Sequence, residues 1–230
     1  MQRKLLTETE LRAHWSRHRT DTFCVEDGTV ITPAAQDFLR ENGISLRFTP
    51  FGDTLGYKPE EMTHLSGTEL VSKTHPRIKF RGMVDSLIAR LLELQVLAAE
   101  NGETQIVEEL DELLSYSRKI MAAEVKETSL EEPYLLGMNS EKLRHDSQQV
   151  KSVFGIDHPV FDHRMGQMCM ALNQLRTQVR ETELSAAQAF ASDSGCTRKD
   201  LIEALNRMSS CIYIMICRKL SGYYTGGKRP

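Results

Sequence analysis

From Gly82 onward, apolar residues recur every three or four positions, a period that draws one greasy stripe along a helix and that a strand cannot use. Val84, Leu87, Ile88, Leu91, Leu92, Leu94 and Leu97 form the first stripe, which ends near Asn101-Gly102. A second helix is predicted from about Glu103 to Val125, with Ile106, Val107, Leu110, Leu113, Leu114, Ile120 and Met121 inward, and a more polar third from about Ser140 to Phe154. The fourth runs from about Pro159 to Phe190. The fifth starts at a Thr197-x-x-Asp200 cap and continues through Leu201, Leu205, Met208, Ile212, Met215 and Ile216 to Gly222. Helices with one apolar side, joined by short connections, bury those sides against each other. The expected fold class is therefore all-α, a five-helix bundle over residues 83–222.

Ahead of the bundle the pattern changes. Thr7-Glu8-Thr9-Glu10 is a capping box that opens a short helix past Trp15, and Thr22 to Val30 reads as extended with an Asp27-Gly28 turn. Thr32 caps a helix with Pro33 at its first position and Gly43 beyond its end, after which Ile44-Ser45-Leu46-Arg47-Phe48 alternates like a strand. Residues 1–56 are thus expected to be a small mixed α/β appendage. Gly52, Gly56, Tyr57 and Pro59 break any periodicity around its end, so residues 57–82 read as a linker with a basic end. Residues 223–230 read as a flexible tail.

Composition narrows the partners. The net charge of −3 comes with dispersed basic residues, which leaves no electrostatic footprint for nucleic acid or an anionic membrane. No apolar run approaches the roughly 20 residues of a spanning helix, and the start of the chain lacks a secretory core, so a cytoplasmic home is expected. Five cysteines without a C-x-x-C spacing argue against a disulfide frame or zinc ribbon and predict reduced, mostly buried thiols.

Arg176, Arg180 and Glu183 fall within roughly a 60° arc beside the apolar seam of Met165, Met168, Leu172, Leu175, Val179 and Ala186. Such spacing serves ordinary intrahelical pairing, or it presents two bidentate forks to a polyanion. The later run Leu205-Asn206-Arg207-Met208-Ser209 favours recognition. Lys73, Arg77, Lys79 and Arg81 stand ahead of a helix N-terminus, where free N–H groups also draw anions, although no G-x-x-x-x-G-K-[ST] loop is present. Asp85 lies in the first turn, either stabilised by the helix dipole or bracing an arginine of another helix. The methionines are first of all core fillers. Phe154, Phe161, Tyr213, Tyr223 and Tyr224 could wall a flat organic ligand, although aromatics in a bundle mostly pack. A rival constellation is His145-Asp146, Asp157-His158 and Asp162-His163. His158 and Asp162 at i and i+4 could share an ion, as in metal phosphohydrolases of the HD type, or they could serve capping and solvent exposure.

The ordered set Lys73-x-x-x-Arg77, Gly82-x-x-Asp85-Ser86-Leu87, Arg176-Thr177-x-x-Arg180-x-x-Glu183 and Leu205-Asn206-Arg207-Met208-Ser209 resembles the ATP:corrinoid adenosyltransferases of the propanediol-utilisation type. Ile31-Thr32-Pro33-Ala34-Ala35, Phe38-Leu39, Met62-Thr63-His64-Leu65 and Val179-Arg180-Glu181-Thr182-Glu183 look closer still to the ethanolamine-utilisation branch of that family. The resemblance implies transfer of the 5′-deoxyadenosyl group of ATP to the cobalt of a reduced corrinoid (cobalamin), to supply ethanolamine ammonia-lyase. Carried over by position, Lys73 and Arg77 approach the phosphates, Arg180 clamps the triphosphate, Asn206 binds ATP, and Glu183 lies near the nucleotide or its Mg2+. Asp85 pairs with Arg176 across a subunit interface, and Phe154 and Phe161 are the candidates for the corrinoid walls. The family implies a homo-oligomer, a trimer before a dimer, in the cytoplasm or at a bacterial microcompartment, with ethanolamine ammonia-lyase or its reactivase as protein partners. An H-x11-C-C-x-x-C metal motif of some members has no match, since counting from His64 reaches Pro76, Arg77 and Phe80, so no structural iron or zinc is expected. The propanediol-type N-terminal phosphate loop is missing, and Glu181 stands where the family has a second arginine. The alternatives are an HD-like metal phosphohydrolase and a non-catalytic helical interaction protein of a microcompartment.

Overall fold

Two units make up the chain in the computed structural model, Met1–Ile78 and Lys79–Pro230, and the structure describes residues 5–18, 21–49, 60–66, 69–193 and 195–226. In the first unit, β1 (Leu5–Leu6) leads into α1 (Glu8–His18), β2 (Thr22–Glu26), β3 (Val30–Ile31), α2 (Pro33–Glu41) and β4 (Ser45–Thr49). The Thr7 capping box forms as the sequence predicts: Glu10 N–H donates to Thr7 Oγ1, and Thr7 N–H donates to Glu10 Oε2 at 2.9 Å. Thr32 Oγ1 accepts from Ala35 N–H at 3.3 Å and Pro33 heads α2. The α2 crossover lets β2 and β4 pair in parallel, with Phe23 opposite Leu46 and Val25 opposite Phe48, while β1 pairs in parallel with β3. Leu6, Leu11, Val25, Ala35, Phe38, Leu39 and Ile44 form the core of this unit, and Trp15 meets Phe38 edge-on at 5.8 Å.

The stretch read as a linker contains an antiparallel hairpin, β5 (Met62–Ser66) and β6 (Glu69–Ser72), with an irregularity between His64 and Ser66. Gly52, Gly56, Tyr57 and Pro59 lie outside the described residues.

The second unit is the helical one. The helix α3 (Pro76–Glu100) starts at Pro76 rather than at Gly82, because proline suits a first helical position and Phe80 extends the buried stripe of Val84, Leu87, Leu91, Leu94 and Ala98 back by a turn. Next comes α4 (Thr104–Val125), which matches its expected span. The predicted third helix breaks at Gln149 (φ −104°, ψ 45°) into α5 (Ser140–Gln148) and α6 (Val150–Phe154). The predicted fourth starts later: a 3-10 turn His163–Met165 precedes α7 (Gly166–Ala189). A small hairpin of β7 (Ala191–Ser192) and β8 (Gly195–Cys196) then reverses the chain into α8 (Lys199–Leu220). The expected Thr197 cap is not made. Thr197 Oγ1 donates instead to Phe190 O, and Arg198 precedes the helix without a side-chain cap.

All five predicted bundle segments feed one core. Its largest side chains come from α3, α4, α7 and α8, joined by Leu143 of α5, with Phe154 and Phe161 packed on its edge. Cys169, Cys211 and Cys217 are buried free thiols; Cys24 and Cys196 are half-buried ones. Tyr223–Thr225, within the stretch read as a flexible tail, form a 3-10 turn, and residues 227–230 lie outside the described residues. No described helix is long and apolar enough to cross a membrane.

Candidate active site

The helices α7 and α8 pack side by side in opposite directions. Asn206 Nδ2 donates to Glu183 Oε1 at 3.1 Å, and the Arg176 guanidinium lies 5.8 Å from the ring centroid of Tyr213. Going back from Glu183 to Arg176 and forward from Asn206 to Tyr213 covers about two turns on each helix, so both contacts stand on one face of the pair. Arg180 sits one turn from each end of this face. It is exposed, and no hydrogen bond or ion pair engages its guanidinium among the described residues.

Arg176 is held differently. Its Nε and Nη2 donate to Asn173 Oδ1 at 3.2 and 3.1 Å, and its guanidinium carbon is also 5.8 Å from the Phe161 ring centroid. Burial first, and then the like charge of Arg180, pull its pKa below the ordinary arginine value. Two flat faces and one amide oxygen therefore fix this cation, whereas Arg180 keeps its fork open for a ligand. Tyr213 is fixed in turn by His158, whose Nδ1 lies 2.9 Å from the Tyr213 hydroxyl with the rings 18° from parallel.

Glu183 and Asn206 are half-buried and in contact; Phe161 touches the cluster through Arg176; Phe154, at the end of α6, packs on the core. Asp85 is exposed on α3 and makes no ion pair with Arg176 inside the chain. Phe80 meets Phe190 at 5.7 Å and Arg90 Nη2 donates to Gln174 at 2.6 Å, so α3 also runs antiparallel to α7, with Asp85 level with the Arg180–Glu183 turn. Lys73 is exposed after β6 in the first unit, with Nζ 4.0 Å from Glu60 Oε2. Arg77 belongs to the first turn of α3, where its N–H donates to His75 Nδ1 at 3.2 Å.

The His–Asp pairs do not combine. The 157–162 segment is not helical, since Pro159 disfavours the α region at His158, so His158 and Asp162 do not share a helix face. Asp162 instead accepts from the Arg164 backbone and guanidinium, which holds its carboxyl below the ordinary range, and Asp146 is taken by Lys142 and His145. No cluster of three potential metal-ligating side chains occurs among the described residues.

Sequence reasoning missed Asn173, quoted Arg207 only as part of a run, and read His158 as a possible metal ligand. Arg207 Nη2 donates to Asn206 Oδ1 at 2.8 Å, Asn173 holds Arg176, and His158 braces Tyr213. The signal for Asn173 was its position one turn before Arg176.

The family model of cobalamin adenosyltransferase matches residues 56–219. The corrinoid adenosyltransferase EutT of Salmonella typhimurium is 36% identical over 160 residues, 69% of this chain and 58% of that protein. EutT of Escherichia coli K12 is 37% identical over the same shares. The more distant corrinoid adenosyltransferase PduO of Salmonella typhimurium is 24% identical over 156 residues, 66% of this chain and 45% of that protein. The chain therefore spans somewhat more than half the length of the EutT relatives it matches. No solved structure matches it.

Proposed function

This chain belongs to the cobalamin adenosyltransferase family, and from that premise we propose that it transfers the 5′-deoxyadenosyl group of ATP to the cobalt of a reduced corrinoid. The observation that carries the reading is the α7–α8 face, where Arg176, Arg180, Glu183 and Asn206 stand together with one guanidinium unengaged. In the reaction the cobalt(I) electron pair attacks C5′, the cobalt–carbon bond forms as the C5′–O bond breaks, and the electron pair of that bond leaves on triphosphate. Cobalt(I) is already a strong nucleophile, so the protein's work is to align C5′, stabilise the departing charge and exclude water.

Each residue has a matching task. Arg180, with its fork free, clamps the triphosphate, and by the family resemblance alone Lys73 and Arg77 are further candidates for the phosphates. Asn206 and Glu183 hold the nucleotide, and Glu183 Oε2 is the oxygen that would be offered to a Mg2+ ion on the nucleotide, which would offset phosphate charge. Arg176, backed by Phe161 and Tyr213, supplies fixed positive field at the wall of the site. Phe161, beside Arg176, and Phe154, at the end of α6, are the candidate walls for a corrin ring. Asp85, exposed on α3, pairs with Arg176 of a neighbouring subunit in a homo-oligomer, a trimer before a dimer. The product would serve ethanolamine ammonia-lyase, in the cytoplasm or at a microcompartment where that enzyme or its reactivase is the partner. The reading draws on the names of the EutT relatives.

An anaerobic assay with ATP and chemically reduced cobalamin tests it. The cob(I)alamin spectrum should decay with formation of a light-sensitive cobalt–carbon product, and folded protein that leaves the spectrum unchanged would remove the activity.

A further inference from the structure

The side-chain amide of Asn206 has two ends of similar shape and opposite chemistry. Its Oδ1 accepts from Arg207 Nη2 at 2.8 Å, and its Nδ2 donates to Glu183 Oε1 at 3.1 Å. A guanidinium only donates and a carboxylate only accepts. Turning the amide over would set N–H against N–H on one side and oxygen against carboxylate on the other, so only one orientation survives. That orientation leaves a single N–H of Nδ2 uncommitted.

Arg207 is itself unusual. It is 9% exposed, it has no carboxylate partner among the described residues, and its Nε is buried without a hydrogen-bond partner. A buried guanidinium without a counter-charge is costly, and an apolar side chain would serve packing better. Its hydrogen bond among the described residues goes to Asn206. Cost without structural return points to a role exerted through that amide.

We infer that Arg207 is a positioning residue: it locks the Asn206 amide so that one N–H donor faces an acceptor atom of bound ATP. The inference rests on the function proposed above. The lock works because both anchors are single-minded, a donor on α8 and an acceptor on α7, and neither can accommodate the flipped amide. Without Arg207 the amide keeps only its hydrogen bond to Glu183, so it pivots about that contact and its free N–H is no longer aimed at the acceptor.

The test is a double-mutant cycle on the whole chain, read as the dissociation constant for ATP alone by calorimetry, with thermal midpoints recorded alongside. Arg207→Met should weaken ATP about tenfold, the order expected for one misdirected hydrogen bond. In an Asn206→Ala background the same change should weaken it no further, because Arg207 then has nothing to position. Arg207→Lys, also a pure donor, should stay within about threefold of the wild type. If Arg207→Met does not fold, Arg207→Ala takes its place in the cycle, since it too offers Asn206 Oδ1 no donor. Equal factors for the Arg207 change in the wild-type and Asn206→Ala backgrounds overturn the inference, as does a lysine variant no better than methionine. Wild-type protein that binds no ATP overturns the proposed function and this inference with it; wild-type binding with additive losses overturns the inference alone.

Discussion

Tyr213 stands between a cation and an imidazole: the Arg176 guanidinium approaches its ring from α7, and His158 stacks against it with Nδ1 2.9 Å from the hydroxyl. The ring and the hydroxyl thus do separable jobs, one supporting the arginine and the other tethering the segment beyond α6. Tyr213→Phe keeps the ring and should cost about 1 kcal/mol or less, the worth of a half-exposed hydrogen bond. Tyr213→Ala should cost about 2 to 3 kcal/mol, below the range for a fully buried aromatic, and should lower activity because Arg176 loses a wall. Urea midpoints and the adenosylation assay would separate the two, and equal losses would mean that the hydroxyl alone matters.

Arg180 makes the opposite forecast, function without stability. With no partner among the described residues, its replacement by alanine should move stability within about 0.5 kcal/mol. Turnover should fall by about 10- to 100-fold if a charge-assisted hydrogen bond to the leaving triphosphate is lost. Arg180→Lys keeps the charge without the fork and should lie between. Unchanged single-turnover rates in a variant with an unchanged thermal midpoint would remove Arg180 from the site.

Local signals are the ones legible in the sequence. The stripes of α3, α4, α7 and α8 are long, and periodicity finds long one-sided helices well. The first turn of α3 was harder, because Arg77, Lys79 and Arg81 surround Phe80, its one fully buried residue. That Arg176, Arg180 and Glu183 share one side of α7 is legible in their spacing, which by itself leaves intrahelical pairing and anion recognition both open. The contacts of that side to Asn206 and Tyr213 are not legible, since the register between two antiparallel helices is set by packing across the seam. The His158–Asp162 spacing misled because periodicity was applied across Pro159, where the backbone of the preceding residue leaves the helical region. The hairpin of β5 and β6 escaped because each strand is too short and mixed in polarity to show alternation.

Acid should loosen the entry to α8 through Asp200. Burial pushes this carboxyl up, but Arg198 at 3.0 and 2.9 Å, the Leu130 N–H at 3.0 Å and the Leu201 N–H together bring it below the ordinary value of 3.8. Between the depressed folded value and the unfolded one, the unfolded chain holds the extra proton, so stability rises with pH there. The contribution is complete above about pH 4 and is lost as pH falls through the folded value. Asp200→Asn should cost about 1 to 2 kcal/mol at pH 7, and its deficit against the wild type should shrink in urea titrations at about pH 3.5. A deficit that stays constant with pH would mean that the carboxylate charge is not what ties Leu130 to the helix.

Glu109 should behave in the opposite sense. It accepts from Arg218 Nη1 at 2.7 Å and from the Tyr224 hydroxyl, which joins α4, α8 and the 3-10 turn Tyr223–Thr225; the Arg218 guanidinium also lies 4.9 Å from the Tyr223 ring centroid. Burial outweighs these partners and pushes the Glu109 carboxyl above its ordinary value of 4.5, so across the window from there up to the folded value the native state keeps a proton that the unfolded chain has released. Stability from this group therefore falls as pH rises through that window and is level above it. Glu109→Ala strands Arg218, whose side chain is only 12% exposed, and should cost about 3 to 5 kcal/mol at pH 7. Tyr224→Phe removes one hydroxyl and should cost about 1 kcal/mol. Glu109→Gln keeps an acceptor for Arg218 but loses the charge, so it should fall between them and erase the pH slope. If Tyr224→Phe proves as damaging as Glu109→Ala, the turn is held by its hydroxyl and the buried charge pair is incidental.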